Sequence, residues 1–179
     1  QLIRWHVKKA TPFPIDDAVL SYAVGGVDNG TTTFVAVAAS RAVVHEYEAI
    51  AAQGIILQVD CPDLAMGRHT QFRELDLSGF RDKMALNIEA LNRATANIPP
   101  EQLRMHMCWG NYPGPHHCDV PFRDIIDLVW RARPHAIQFE AANPRHAHEF
   151  AMFEEIKLPE GKVLIPGVIE CQSNYIEQI

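Results

Sequence analysis

The sequence predicts an α/β protein on parallel strands, the later and incomplete part of a (β/α)8 TIM barrel forming a single partial domain over residues 1–179. Two observations carry this. Apolar runs suited to buried parallel strands alternate with helical stretches at least four times. The runs also end in groups capable of chemistry: Asp60, then His106 and Cys108, then Glu140, then Glu170 with Cys171. Polar groups at the carboxyl ends of successive strands are a barrel signature. A closed barrel needs eight strands and five are readable, so part of one is expected. No Gly-x-Gly-x-x-Gly follows a strand and no Walker-type Gly-Lys-Ser/Thr occurs, so nothing favours a nucleotide-binding doubly wound sheet.

Residues 1–30, punctuated by Pro12, Pro14, Gly25, Gly26 and Gly30, show no strong period and read mostly as loop. Repeating β/α units are expected from residue 31. Residues 33–38 read as a buried strand, and residues 41–52 as a helix with Val43, Val44, Tyr47, Ile50 and Ala51 in one stripe, closed by Gly54. Residues 55–59 form the next strand, turning polar at Asp60-Cys61-Pro62. A polar connection with Gly67, Arg68 and His69 leads to a helix over 78–98, with Phe80, Met84, Ile88 and Leu91 at helical spacing and Pro99-Pro100 as its stop. In the strand over 103–108, period two sets Leu103, Met105 and Met107 on one face and Arg104, His106 and Cys108 on the other. Gly110, Pro113, Gly114 and Pro115 end it. A helix over 121–133 turns Ile125, Leu128, Val129 and Ala132 inward; a strand over 136–140, a helix over 145–156 and a strand over 163–169 follow.

With 47% apolar and 21% charged residues, the 179-residue chain can bury one sizeable core. A net charge of -6 and the lack of a basic run interleaved with aromatics argue against nucleic acid as a partner. No apolar run approaches the ~20 residues of a membrane span, and residues 1–9 lack a signal-peptide core. The expected location is cytoplasmic. Cys61, Cys108, Cys118 and Cys171 lack the spacing of a disulfide framework, so free thiols are expected. The chain begins at Gln1 and ends in a run that reads as a helix start, so a fragment is the expectation.

An imidazole and a thiol on one strand face are soft-ligand chemistry that zinc accepts. Taken alone, such a pair more often packs than ligates. The segments Gln58-Val-Asp-Cys-Pro, His106-Met-Cys-Trp-Gly-Asn, Gln138-Phe-Glu and Pro166-Gly-Val-Ile-Glu, in this order and spacing, resemble the catalytic barrel of cobalamin-independent methionine synthases over roughly residues 55–177. The chain looks like a short single-barrel relative, in the superfamily that also holds epoxyalkane:coenzyme M transferases and uroporphyrinogen decarboxylase.

The resemblance implies a zinc-dependent methyltransferase that moves a methyl or alkyl group from a donor to homocysteine or a related small thiol. It implies zinc ligation by His106, Cys108 and Glu140, and a catalytic Asp60 that binds the amino group of the thiol substrate. Without it, Asp60 reads as a cap of the turn before Pro62. The family's fourth ligand is a Cys downstream of the Pro-Gly-Val segment, expected to lie outside this sequence; Cys171 is a candidate surrogate, though a small residue packed at a strand end is the simpler reading. The family's Asp-Ile-His-Ser run is here Glu170-Cys171-Gln172-Ser173, and Gln172 cannot be a general acid at neutral pH, so a donor other than methyltetrahydrofolate becomes plausible.

In the loop, Asn111, His116 and His117 are expected to bind substrate as a wall of the site. A second metal site of His116, His117 and Cys118 is disfavoured, because three neighbours cannot all face one ion without a rare turn. Asp119 reads as the cap of the next helix, His146 and His148 as surface or ligand-supporting residues, and Arg145 as an anion contact. A uroporphyrinogen-decarboxylase-like lyase is an alternative that leaves His106, Cys108 and Glu140 unexplained. An inactive truncated barrel, self-associating through open sheet edges, is another.

Overall fold

A computed structural model of the chain describes residues 2–111, 114–170 and 174. The first forty residues do not form the loop and first β/α unit expected of them. Helix α1 (Leu2–Val7) is followed by β1 (Ala18–Asp28) and β2 (Thr31–Ser40), an antiparallel hairpin that pairs Ala18 with Ser40 and Asp28 with Thr31. Asn29 at φ 47° and Gly30 at φ 78° connect the strands. A two-residue turn with both centres left-handed matches the strand twist, and Asn-Gly is the pair that adopts it most readily. Residues 33–38 therefore lie in the hairpin and not in the parallel sheet.

Helix α2 (Arg41–Ala52) has the expected bounds, and Gly54, at φ 75°, follows it. Its buried stripe is narrower than expected: Val44 and Ala51 sink and Tyr47 packs beside them, whereas Val43 and Ile50 are exposed. Ile55 and Ile56 are exposed as well, and strand β3 (Leu57–Asp60) starts after them. Helix α3 (Leu77–Ala94) begins where Asp76 Oδ1 accepts the Gly79 N–H at 2.8 Å. It buries Phe80, Met84 and Ile88 and packs against the hairpin. It stops before residue 98, at Thr95, whose hydroxyl donates back to the Leu91 carbonyl at 2.8 Å.

Strands β4 (Leu103–His106), β5 (Ala136–Glu140) and β6 (Val163–Gly167) complete a four-stranded parallel sheet in the order β3-β4-β5-β6. Each strand adds beside the last, so among the described residues the order never reverses and no switch-point crevice arises. The crossovers thin along the sheet. Between β4 and β5 the expected helix is a 3-10 turn, Phe122–Asp124, followed by the single helical turn α4 (Ile126–Val129), although Ile125, Leu128, Val129 and Ala132 are buried as expected. Between β5 and β6 it is the 3-10 segment Ala147–Glu154.

The two sheet faces differ. One buries Leu57, Leu103, Met105, Ile137 and Phe139 beneath the crossover segments. The other carries Gln58, Asp60, Arg104, His106, Gln138 and Glu140, with Asp60, His106 and Gln138 aligned in one row by the strand register. Parallel sheets ordinarily cover both faces with apolar contacts. Among the described residues β3 pairs only with β4 and β6 only with β5, so both edges keep unpaired backbone groups. No described helix is long and apolar enough to cross a membrane.

Candidate functional site

Backbone hydrogen bonds beyond the strands gather the polar ends. The Cys61 N–H donates to the His106 carbonyl at 2.8 Å, Met107 N–H to Gln138 O at 3.0 Å, and Met66 N–H to Cys108 O at 3.0 Å. The turn after β3 and the loop after β4 are thus laced together. His106 ends β4 on the polar face, with Nδ1 buried and without a hydrogen-bond partner, and Cys108 follows two residues beyond the strand, half-buried. Burial pushes the Cys108 thiol up from its ordinary range; the Gly110 N–H works the other way, and the charges of Glu140 and Asp60 push up again. A thiolate there needs a cation beside it.

Glu140 is fixed at both oxygens, Oε1 accepting the Trp109 N–H and Oε2 the Asn143 amide, each at 3.0 Å. It retains lone pairs for a further partner. His106, Cys108 and Glu140 stand at neighbouring strand ends and are a donor set that zinc accepts, but their donor atoms do not all come within 4.8 Å of one another. Asp60 is exposed at the end of β3, and Asn111 is exposed at the start of the loop. Cys61 is buried, and burial with the nearby Asp63 and Asp60 charges pushes its thiol far up, which makes it a packing residue. Cys171 and Gln172 lie outside the described residues. A different trio has its donor atoms within 4.8 Å of one another: His69, His117 and Cys118.

Two expectations about the surroundings change. Asp119 does not cap the next helix; the Phe122 N–H there is taken by Glu149 Oε2. Asp119 Oδ2 instead lies 2.8 Å from His116 Nδ1 and 2.9 Å from His146 Nε2, and His146 Nδ1 lies 2.6 Å from Glu149 Oε1. His148 is at the surface, but His146 is buried and stacks on the buried Trp109 with ring centroids 4.0 Å apart. Burial alone would lower the His146 pKa; hydrogen bonds to Asp119 and Glu149 and their charges more than offset that and raise it to about 9. The cation holds two carboxylates together and clamps Trp109, whose indole N–H donates to Val120 O at 2.7 Å and whose backbone N–H orients Glu140. The sequence offered little sign of this, because the partners come from three segments.

Gly110 makes the loop possible. Its φ is 100°, and a Cβ there would stand 2.8 Å from Met66 Sδ. Gly110→Ala is expected to cost about 1–3 kcal/mol, read as a lower urea midpoint; an unchanged midpoint would mean that the loop does not rest on Met66.

Fold and site together define a mixed α/β protein whose four-stranded parallel sheet carries imidazole and carboxylate groups at the carboxyl ends of its strands, with a thiol just beyond. No protein-family model, curated protein or solved structure matches the chain.

Proposed function

We propose that the four parallel strands are successive staves of a (β/α)8 barrel, and that its site alkylates a small thiol with zinc held by His106, Cys108 and Glu140. The observation that carries this is the buried, partnerless Nδ1 of His106, at the end of a strand next to the one that ends in the oriented Glu140 carboxylate. A buried polar atom without a partner costs about 1–3 kcal/mol, and a metal bond relieves that cost. When bound, zinc supplies the Lewis acidity that keeps a substrate thiol ionised at neutral pH.

The chain's own groups do the positioning. Trp109 and Asn143 hold Glu140 in one orientation. Asp60, exposed and in register with His106, receives the ammonium group of an amino-acid thiol such as homocysteine. Asn111, His116 and His117 form the loop side against which the methyl or alkyl donor lies, and Gln172 in place of a histidine favours a donor other than methyltetrahydrofolate. The polar sheet face carrying Gln58, Arg104 and Gln138 suits the lumen of a barrel completed by further strands, and the open edges of β3 and β6 suit self-association. Free thiols suit a reducing, cytoplasmic setting.

The test is to purify the chain and measure its mass in solution, its zinc content, and its alkylation of homocysteine across a panel of donors. Self-association, bound zinc that protects Cys108 from iodoacetamide, and trace turnover are expected, since an unclosed site admits water and orients a donor poorly. A monomer that binds no zinc, with Cys108 alkylated equally fast whether zinc is present or not, would sink the reading. A monomer that turns over methyltetrahydrofolate would defeat both the donor and the association arguments.

A further inference from the structure

We propose that His69, His117 and Cys118 form a second metal site for a divalent ion of the zinc class. One donor atom from each lies within 4.8 Å of the other two, so a closure of at most about 1.5 Å brings them to the roughly 3.3–3.8 Å separation of tetrahedral ligands on a shared ion. Three adjacent loop residues could not converge, and they do not: His116 turns toward Asp119, 2.8 Å away, and His69 takes the third place. The His69 ring stacks with His116 at 5.9 Å and meets His117 edge-on at 5.4 Å.

The backbone holds this arrangement from both sides. On one, the His69 N–H bonds to the Met66 carbonyl at 2.9 Å, and the Met66 N–H bonds to the Cys108 carbonyl, so His69 is carried on the turn laced to the loop. On the other, the Asp119 N–H bonds to the His116 carbonyl at 3.1 Å and closes a turn around His117 and Cys118. Two imidazoles and a thiolate are a donor set that zinc accepts, whereas magnesium and calcium take oxygen. His117 is exposed and Cys118 half-buried, so the fourth coordination position opens to solvent and can accept water or a small donor molecule. Such an ion also pins the loop after β4 to the turn after β3. The two sites share no ligand, so this inference does not rest on the strand-end zinc.

The experiment uses the whole chain carrying Cys108→Ser, which removes a strand-end ligand, titrated with Co2+ and read by its visible d–d bands and near-ultraviolet sulfur charge-transfer band. A single equivalent bound through sulfur and displaced by Zn2+ is expected. Adding Cys118→Ser should abolish the charge-transfer band, and adding His69→Ala should weaken binding by about 100-fold or more; circular dichroism checks that each variant is folded. If Cys108→Ser takes up no Co2+, or if the band survives Cys118→Ser, the second site does not exist. If the unsubstituted chain and Cys108→Ser bind the same single equivalent, the second site stands and the strand-end site falls.

Discussion

His146→Leu is expected to remove about 3–5 kcal/mol of stability at neutral pH, the cost of breaking a buried ion pair by deleting one partner. Asp119 and Glu149, whose side chains are only 11% and 12% exposed, would keep their burial and lose the cation between them, and Trp109 would lose its stacking partner. Leucine fills the volume, so the loss is mainly electrostatic. The same cation sets a pH dependence. The folded pKa of about 9 stands above the ordinary 6.5, so the stabilisation is fully present below about pH 6.5 and disappears as pH rises through about 9. Over that window the unsubstituted chain should lose roughly 3 kcal/mol, and the variant should show little slope. Denaturant unfolding from pH 6 to pH 10 reads both. Parallel slopes in the two proteins would show that His146 is not the charged group.

Cys108→Ser is expected to weaken zinc at the strand ends by more than about 100-fold, since loss of a direct ligand exceeds the roughly 10–100-fold cost of losing a supporting residue. Alkylation of a thiol substrate should fall with it. The fold should survive, because Cys108 is half-buried beyond the end of β4 and the core lies on the opposite sheet face. Zinc content and thermal unfolding, measured in a Cys118→Ser background to exclude the second site, separate the two effects. Global unfolding would instead assign Cys108 to packing.

The sheet was legible because its strands are short apolar runs, and in β4 and β5 the buried residues alternate with polar ones that point the other way. Helix α2 was legible in its bounds but not in its buried stripe, since Val43 and Ile50 face solvent in a thinly covered part of the molecule. The hairpin has a signal that the glycines obscure: Gly25, Gly26 and Gly30 read as breakers, whereas Asn29-Gly30 between two β-rich runs is a turn that makes strands. At the site, residues on the strands themselves were readable by period. His69 and His146 were not, because what matters about them is which distant segment they meet: the loop at His117 and Cys118, and the carboxylate of Asp119.

The hairpin also bears on how the chain folds. Its pairing is local, and a hairpin closes in about 1–10 μs. Strand β3 cannot meet β4 until the long stretch containing α3 has been looped out between them, and such non-local parallel pairing is intrinsically slow. The early element is also one against which α3 packs. During synthesis it would be complete before β4 had been made, ready to receive the first crossover helix as that helix emerges. A segment that contributes no strand to the parallel sheet thereby provides the surface on which the sheet's first crossover helix packs.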